Sequence, residues 1–180
     1  MRLEDSHVWG NRRWIDVQPG ATRVSILSLS EMRARMAAGQ RLLGIDLGKK
    51  TIGLALSDTL LTIATPYETL KRSKFSDDAQ ELQAIAAKEG AGGVVLGLPL
   101  NMDGTAGPSA QSARAFARSL TAASALPIAL WDERLSTAAV ERDMIAADAT
   151  RKRRAIAVDK VAAAYILQGA LEALRNLPSR

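Results

Sequence analysis

Asp46 stands within the apolar run LLGIDLG (42–48), Asp132 and Glu133 end the run PIALWDE (127–133), and Asp159 heads a helical stripe continued by Ala162, Ala163, Ile166 and Ala170. An ionised carboxylate in such a setting costs several kcal/mol unless it is paired or bound to a cation. Oxygen donors contributed by a strand centre, a strand end and a helix start are what a hard divalent cation takes from one scaffold. Asp46, one of the pair Asp132 and Glu133, and Asp159 are therefore the candidate metal-ligating and catalytic set. Two Mg²⁺ or Mn²⁺ ions, roughly 3.5 to 4 Å apart, could activate a water and stabilise the departing oxygen during in-line attack on a phosphodiester. Each acid also has a purely structural use. Asp46 could pair with Lys49 or Lys50, Asp132 and Glu133 could cap the following turn and pair with Arg134, and Asp159 could favour the positive end of its helix. Successive strand residues point to opposite faces, so only one of Asp132 and Glu133 can share the face of Asp46.

Composition removes the competing chemistries. The 180 residues include no cysteine and one histidine, His7, which lies in a poorly patterned N-terminal stretch. No structural zinc site, thiol nucleophile or Ser-His-Asp triad can be assembled from that inventory. The net charge of +5 suits a polyanionic partner. No apolar run approaches the roughly 20 residues that cross a bilayer, and the first residues lack the layout of a secretory signal. The expected setting is cytoplasmic, without a membrane partner.

These acids need elements to position them. LLGIDLG reads as a buried strand, GKKT (48–51) as a turn and IGLALSD (52–58) as an antiparallel return, with ATPYETL (64–70) a third strand. Ser76 resembles an N-cap for a helix through DDAQELQAIAAKEG, stopped by Gly90. VVLGLPL (94–100) suits a strand covered on both faces. A helix over 109–123, the strand PIALWDE, a helix capped by Ser136 or Thr137, a basic loop at 151–154 and a last helix over 156–174 complete the chain. The pattern predicts an α/β, ribonuclease-H-like domain over 39–176. Its mixed five-stranded sheet, three antiparallel strands followed by two parallel ones, carries helices on both faces. Residues 1–38, with a possible short helix over 29–38, read as a poorly ordered extension whose removal leaves the domain folded, and 177–180 as a tail.

The segments GIDLGKKTIGLALSD, VVLGLPLNMDG, DERLST and VDKVAAAYIL, in this order and spacing, resemble the YqgF family across 41–174. Proteins of that family look like small relatives of the RuvC Holliday-junction resolvases. The resemblance implies a ribonuclease-H-like fold and a metal-dependent nuclease maturing the 5′ end of pre-16S ribosomal RNA, with Mg²⁺ or Mn²⁺ as cofactor. Ribosomal or ribonuclease partners are possible, and structured DNA is an alternative substrate. The family's acids match Asp46, Glu133 within the DER motif, and Asp159. RuvC-like resolvases carry a Glu at the end of the fourth strand, where this chain reads Gly97, Leu98 and Pro99; Glu133 would supply that ligand. Lys50, Asn101, Gly104, Arg134, Ser136, Thr137 and Lys160 are the implied nucleic-acid contacts, setting position on phosphate without reading sequence. Asn101, Asp103 and Gly104 would equally serve a turn, and Ser136 and Thr137 a cap. Thr51 stands where many relatives carry Arg, which removes one phosphate contact. An actin-like or sugar-kinase-like phosphotransferase would need a second half that this chain lacks, and GKKT lacks the spaced glycine of a phosphate-binding loop. A noncatalytic nucleic-acid-binding module is the remaining alternative, and its binding would survive chelation.

Overall fold

Strand β2 (Arg41–Leu47) follows a period of two: Leu43 and Ile45 enter one buried cluster, Leu42 the cluster on the opposite face. Both faces are covered, so the strand reads as a continuous apolar run, as does β5 (Ala91–Leu98), which is buried at every position. The computed structural model describes residues 26–135 and 151–177. Its elements run β1 (Ile26–Leu27), α1 (Leu29–Arg35), β2, β3 (Thr51–Ser57), β4 (Ala64–Lys71), α2 (Phe75–Glu89), β5, α3 (Pro108–Ala123), β6 (Ile128–Asp132) and α4 (Arg151–Arg175). A short 3-10 turn, Glu133–Leu135, follows β6.

The sheet has the order β1-β6-β5-β2-β3-β4. Antiparallel pairing joins β2 to β3 and β3 to β4, and parallel pairing joins β2 to β5, β5 to β6 and β1 to β6. The mixed ribonuclease-H-like architecture is as expected, with six strands in place of five. The sixth is β1, in the segment read as an extension. Its two residues add to the outer edge of β6, and α1 behind it is closed by a capping box in which Ser28 and Glu31 satisfy each other's backbone amides. Met32 of α1 and Met36, its C-cap, are buried in the cluster between the sheet and α4. Residues 26–36 are thus part of the fold, because pairing and apolar burial here act on too few residues to leave a periodic signal. Residues 1–25 lie outside the described part.

The two faces carry different loads. Leu82, Phe116 and Leu120 of α2 and α3 cover one face, while Ala163, Ile166, Leu167, Ala170 and Leu171 of α4 cover the other. Two local expectations change. Helix α2 begins at Phe75 with Lys74 as N-cap and no side-chain cap; Ser76 lies inside it, and Asp78 ties down the preceding segment by accepting from the backbone N–H and hydroxyl of Ser73. Residues 151–154, read as a loop, form the first turn of α4, because a run of Arg and Lys is itself a good helix former.

Met32 is fully buried, so Met32→Ala should cost about 2 to 5 kcal/mol of unfolding free energy, the usual range for emptying such a site. Urea unfolding of the full chain measures it; a change within error would show that α1 does not pack on the core.

Candidate active site

Asp46 is half-buried near the end of β2 and pairs across the ladder with Gly53 of β3. Directly opposed residues project to the same face, so Asp46, like Gly44 and Leu42 before it, faces α4. Here the helix comes down on glycines. A Cβ on Gly44 would stand 2.7 Å from Cβ of Leu167, and one on Gly53 would collide with the backbone carbonyl of Asp159. Glycine is required at both because α4 approaches the sheet backbone directly. Asp159 is thereby seated on β3, and its Oδ2 accepts a 2.6 Å hydrogen bond from the hydroxyl of Thr51.

Glu133 reaches the same face from the other side. It opens the 3-10 turn and does not extend β6, and it is 7% exposed. A Cβ on Gly97 would lie 2.5 Å from its Oε1 and 2.6 Å from Cδ1 of Ile166. In the parallel ladder Ile45 is level with Leu96, which puts Asp46 level with Gly97. The space where a fourth-strand side chain would stand is occupied by the Glu133 carboxylate. Its neighbour Asp132 turns to Arg134, accepting from Nη2 at 2.6 Å and from Nε and the backbone N–H. The guanidinium holds the Asp132 carboxyl below the ordinary aspartate range, and Asp132 raises Arg134 in return. The strand-end pair is divided by the turn that follows β6, with Asp132 in an ion pair and Glu133 over Gly97 on the face of Asp46.

The other expected contacts fall into three groups. Lys50 is exposed on the β2–β3 turn, and Lys160 is half-buried beside Asp159. Asn101 and Gly104 build a turn: the Asn101 side chain donates to the Thr105 hydroxyl, the Gly104 N–H donates to the Asn101 carbonyl, and Gly104 has φ of 86°. That turn leans on the site, because Nη1 of Arg134 reaches the Met102 carbonyl at 3.4 Å and would stand 3.4 Å from a Cβ on Gly104. Ser136 and Thr137 lie outside the described residues. Sequence reading missed Gly53 and Gly97 as seats for acids and Thr51 as a partner of Asp159; lone glycines inside strand patterns were the available signal.

Among the described residues no three His, Cys, Asp or Glu side chains converge closely enough to enclose an ion alone. Asp46, Glu133 and Asp159 nevertheless offer only oxygen donors from three elements to one face. That donor set fits Mg²⁺, which keeps several waters and takes one or two carboxylates together with substrate phosphate in place of an all-protein cage.

The chain matches the family model described as "RuvX: Holliday junction resolvase" over residues 40–173. It is 58% identical over 147 residues, 82% of this chain and 95% of the relative, to a Paramagnetospirillum magneticum protein named "Putative pre-16S rRNA nuclease". A Methylocella silvestris protein of the same name is 57% identical over 152 residues, 84% of this chain and 94% of the relative. Among solved structures, Thermus thermophilus RuvC in complex with a Holliday junction substrate is similar with a TM-score of 0.50 at 15% identity, covering 76% of this chain and 96% of that one. At that identity the likeness establishes the shared fold.

Because the Glu133 carboxylate lies over Gly97, Gly97→Ala should push it aside. Displacements of about 1 Å cost on the order of 100-fold in rate, whereas overpacking by one methyl costs about 1 to 3 kcal/mol of stability. Cleavage rates and melting curves on the same preparation check this; full activity in a folded variant would show that Glu133 need not stay where it is.

Proposed function

The chain belongs to the RuvX family, and from that premise we propose that it is a divalent-metal-dependent endonuclease that trims the 5′ end of pre-16S ribosomal RNA. The observation that carries the reading is the placement of Asp46, Glu133 and Asp159 on one face of the sheet, with Glu133 over Gly97 and Asp159 on Gly53. Membership of a nuclease family makes the chain a hydrolase of ester bonds. The names of its relatives in P. magneticum and M. silvestris, "Putative pre-16S rRNA nuclease" in both, support RNA as the substrate.

Asp46, Glu133 and Asp159 would hold the cations, which when bound supply positive charge to a scissile phosphate and lower the pKa of an attacking water. The three carboxylates then set where that charge sits, and burial of Glu133 keeps its position from relaxing into solvent. Arg134, oriented by Asp132, and the lysines Lys50 and Lys160 supply cationic groups around the face for the flanking phosphates. Met102 and Leu135, both exposed next to Arg134, present apolar surface to unstacked bases. A face of this kind suits one flexible strand, and its affinity should fall with salt as Lys and Arg displace condensed counterions.

Holliday-junction resolution is the second reading, favoured by the description of the family model. It requires two symmetrically placed sites, whereas trimming an RNA end requires one.

Asp46→Asn, Glu133→Gln and Asp159→Asn should each abolish cleavage while leaving the fold intact or slightly stabilised, since each removes a like charge from the cluster. A variant that unfolds, yet keeps its specific activity in the folded fraction, would assign the acid to structure. In side-by-side assays at matched salt and Mg²⁺ or Mn²⁺, a precursor 16S RNA fragment should be cut faster than a four-way DNA junction. Symmetric paired nicks in the junction, appearing ahead of any RNA product, would establish the second reading, and metal-independent binding without cleavage of either would establish a noncatalytic module.

A further inference from the structure

The β2–β3 turn is built around one hydroxyl. Thr51 lies on the same strand face as Gly53 and Ala55, the face covered by α4, and its Oγ1 donates to Oδ2 of Asp159 across 108 residues of sequence at 2.6 Å. Nothing local dictates this bond; it exists because α4 rests on Gly53 and brings Asp159 over the end of the strand. The hydroxyl is itself held in place. A Cβ on Gly48 would stand 3.1 Å from Thr51 Oγ1 and 2.9 Å from its carbonyl oxygen, so only glycine at 48 leaves the turn this tight. Arg72, just beyond β4, clamps the turn from outside: its Nη1 donates to the Gly48 carbonyl at 3.0 Å and its backbone N–H to the Lys50 carbonyl at 2.9 Å.

We propose that Thr51 is the positioning residue of the third acid, its hydroxyl fixing one oxygen of Asp159 so that the carboxylate meets a divalent cation in a single orientation. The inference rests on the metal-site reading above. A carboxylate on a helix can rotate about its own bonds at little cost. One charge-assisted hydrogen bond from a β-branched side chain with a stiff χ1 removes that freedom before any cation arrives. Partners that orient a metal ligand in this way commonly govern metal affinity without touching the metal.

The test is Mn²⁺ binding to the full chain, followed by the electron paramagnetic resonance signal of free Mn²⁺, in wild type, Thr51→Val, Thr51→Ser, Asp159→Asn and the Thr51→Val/Asp159→Asn double variant. Valine keeps the shape and strand preference of threonine without the hydroxyl. Thr51→Val should weaken Mn²⁺ binding about tenfold and Thr51→Ser should stay within about twofold of wild type, the size expected of an orienting partner. The double variant should bind no worse than Asp159→Asn alone. Wild-type affinity in Thr51→Val, with Asp159→Asn weakened, overturns the positioning role and leaves the metal site standing. Equal loss in Thr51→Val and Thr51→Ser, or additive loss in the double variant, also overturns it, because the effect then does not pass through this hydroxyl to Asp159. Equal Mn²⁺ affinity in wild type and Asp159→Asn overturns both the inference and the reading beneath it.

Discussion

The approach of α4 to the sheet at backbone distance governs the rest of the arrangement. Gly44, Gly53 and Gly97 lie on three adjacent strands, and a methyl group on any of them would meet Leu167, Asp159, or Glu133 and Ile166. The helix side contributes mostly small residues, Ala162, Ala163 and Ala170, with Ile166 and Leu167 filling the space between. Close packing of this kind gains dispersion contacts and leaves little slack. It also determines where the acids stand. Asp159 is on the sheet because the helix backbone is, and Glu133 can cross above β5 because Gly97 has no side chain to stop it.

That geometry gathers negative charge. Carboxylates sharing one face repel in a partly desolvated environment, and the repulsion is relieved by protonation, by cationic side chains or by bound cations. The chain uses cationic side chains one step away from the acids that would do chemistry. Asp132, adjacent to Glu133, is neutralised by Arg134, and the ion pair braces the turn over 101–105 through the Met102 carbonyl. The division explains how one dipeptide serves two purposes: a strand end followed by a 3-10 turn sends its two acids to different surroundings.

Much of this was legible in the chain. The apolar runs LLGIDLG and IGLALSD, the unbroken apolar run before Leu98 and the stop at Gly90 are local signals, and the corresponding strands and helix end stand where they were read. The last helix begins earlier than its apolar stripe, at Arg151, so Asp159 lies inside it and not at its start. The residue patterns singled out Asp46, the pair Asp132 and Glu133, and Asp159 from 19 acids, and the motif resemblance chose Glu133 from the pair. What escaped was nonlocal. The two residues of β1 pair only with the edge of β6, so no period announces them, although Ser28 and Glu31 carry a capping-box spacing that marks the start of α1. The basic run at 151–154 looked like a loop on charge alone, when its residue types favour a helix. Thr51 looked like the loss of a phosphate contact, whereas its partner lies in the last helix.

The central claim is that Asp46, Glu133 and Asp159 form one cation-binding centre on the α4 face. Anomalous diffraction at the Mn²⁺ absorption edge, from crystals of the full chain grown with Mn²⁺ and a non-cleavable RNA strand, addresses it directly. The account predicts manganese peaks within about 2.5 Å of carboxylate oxygens of these three residues, the range of hard-cation oxygen ligation, with an RNA phosphate completing the shell. Manganese held elsewhere, for example at Asp132 after loss of its pair with Arg134, with the three carboxylates uncoordinated and RNA bound at a distance from them, would contradict it.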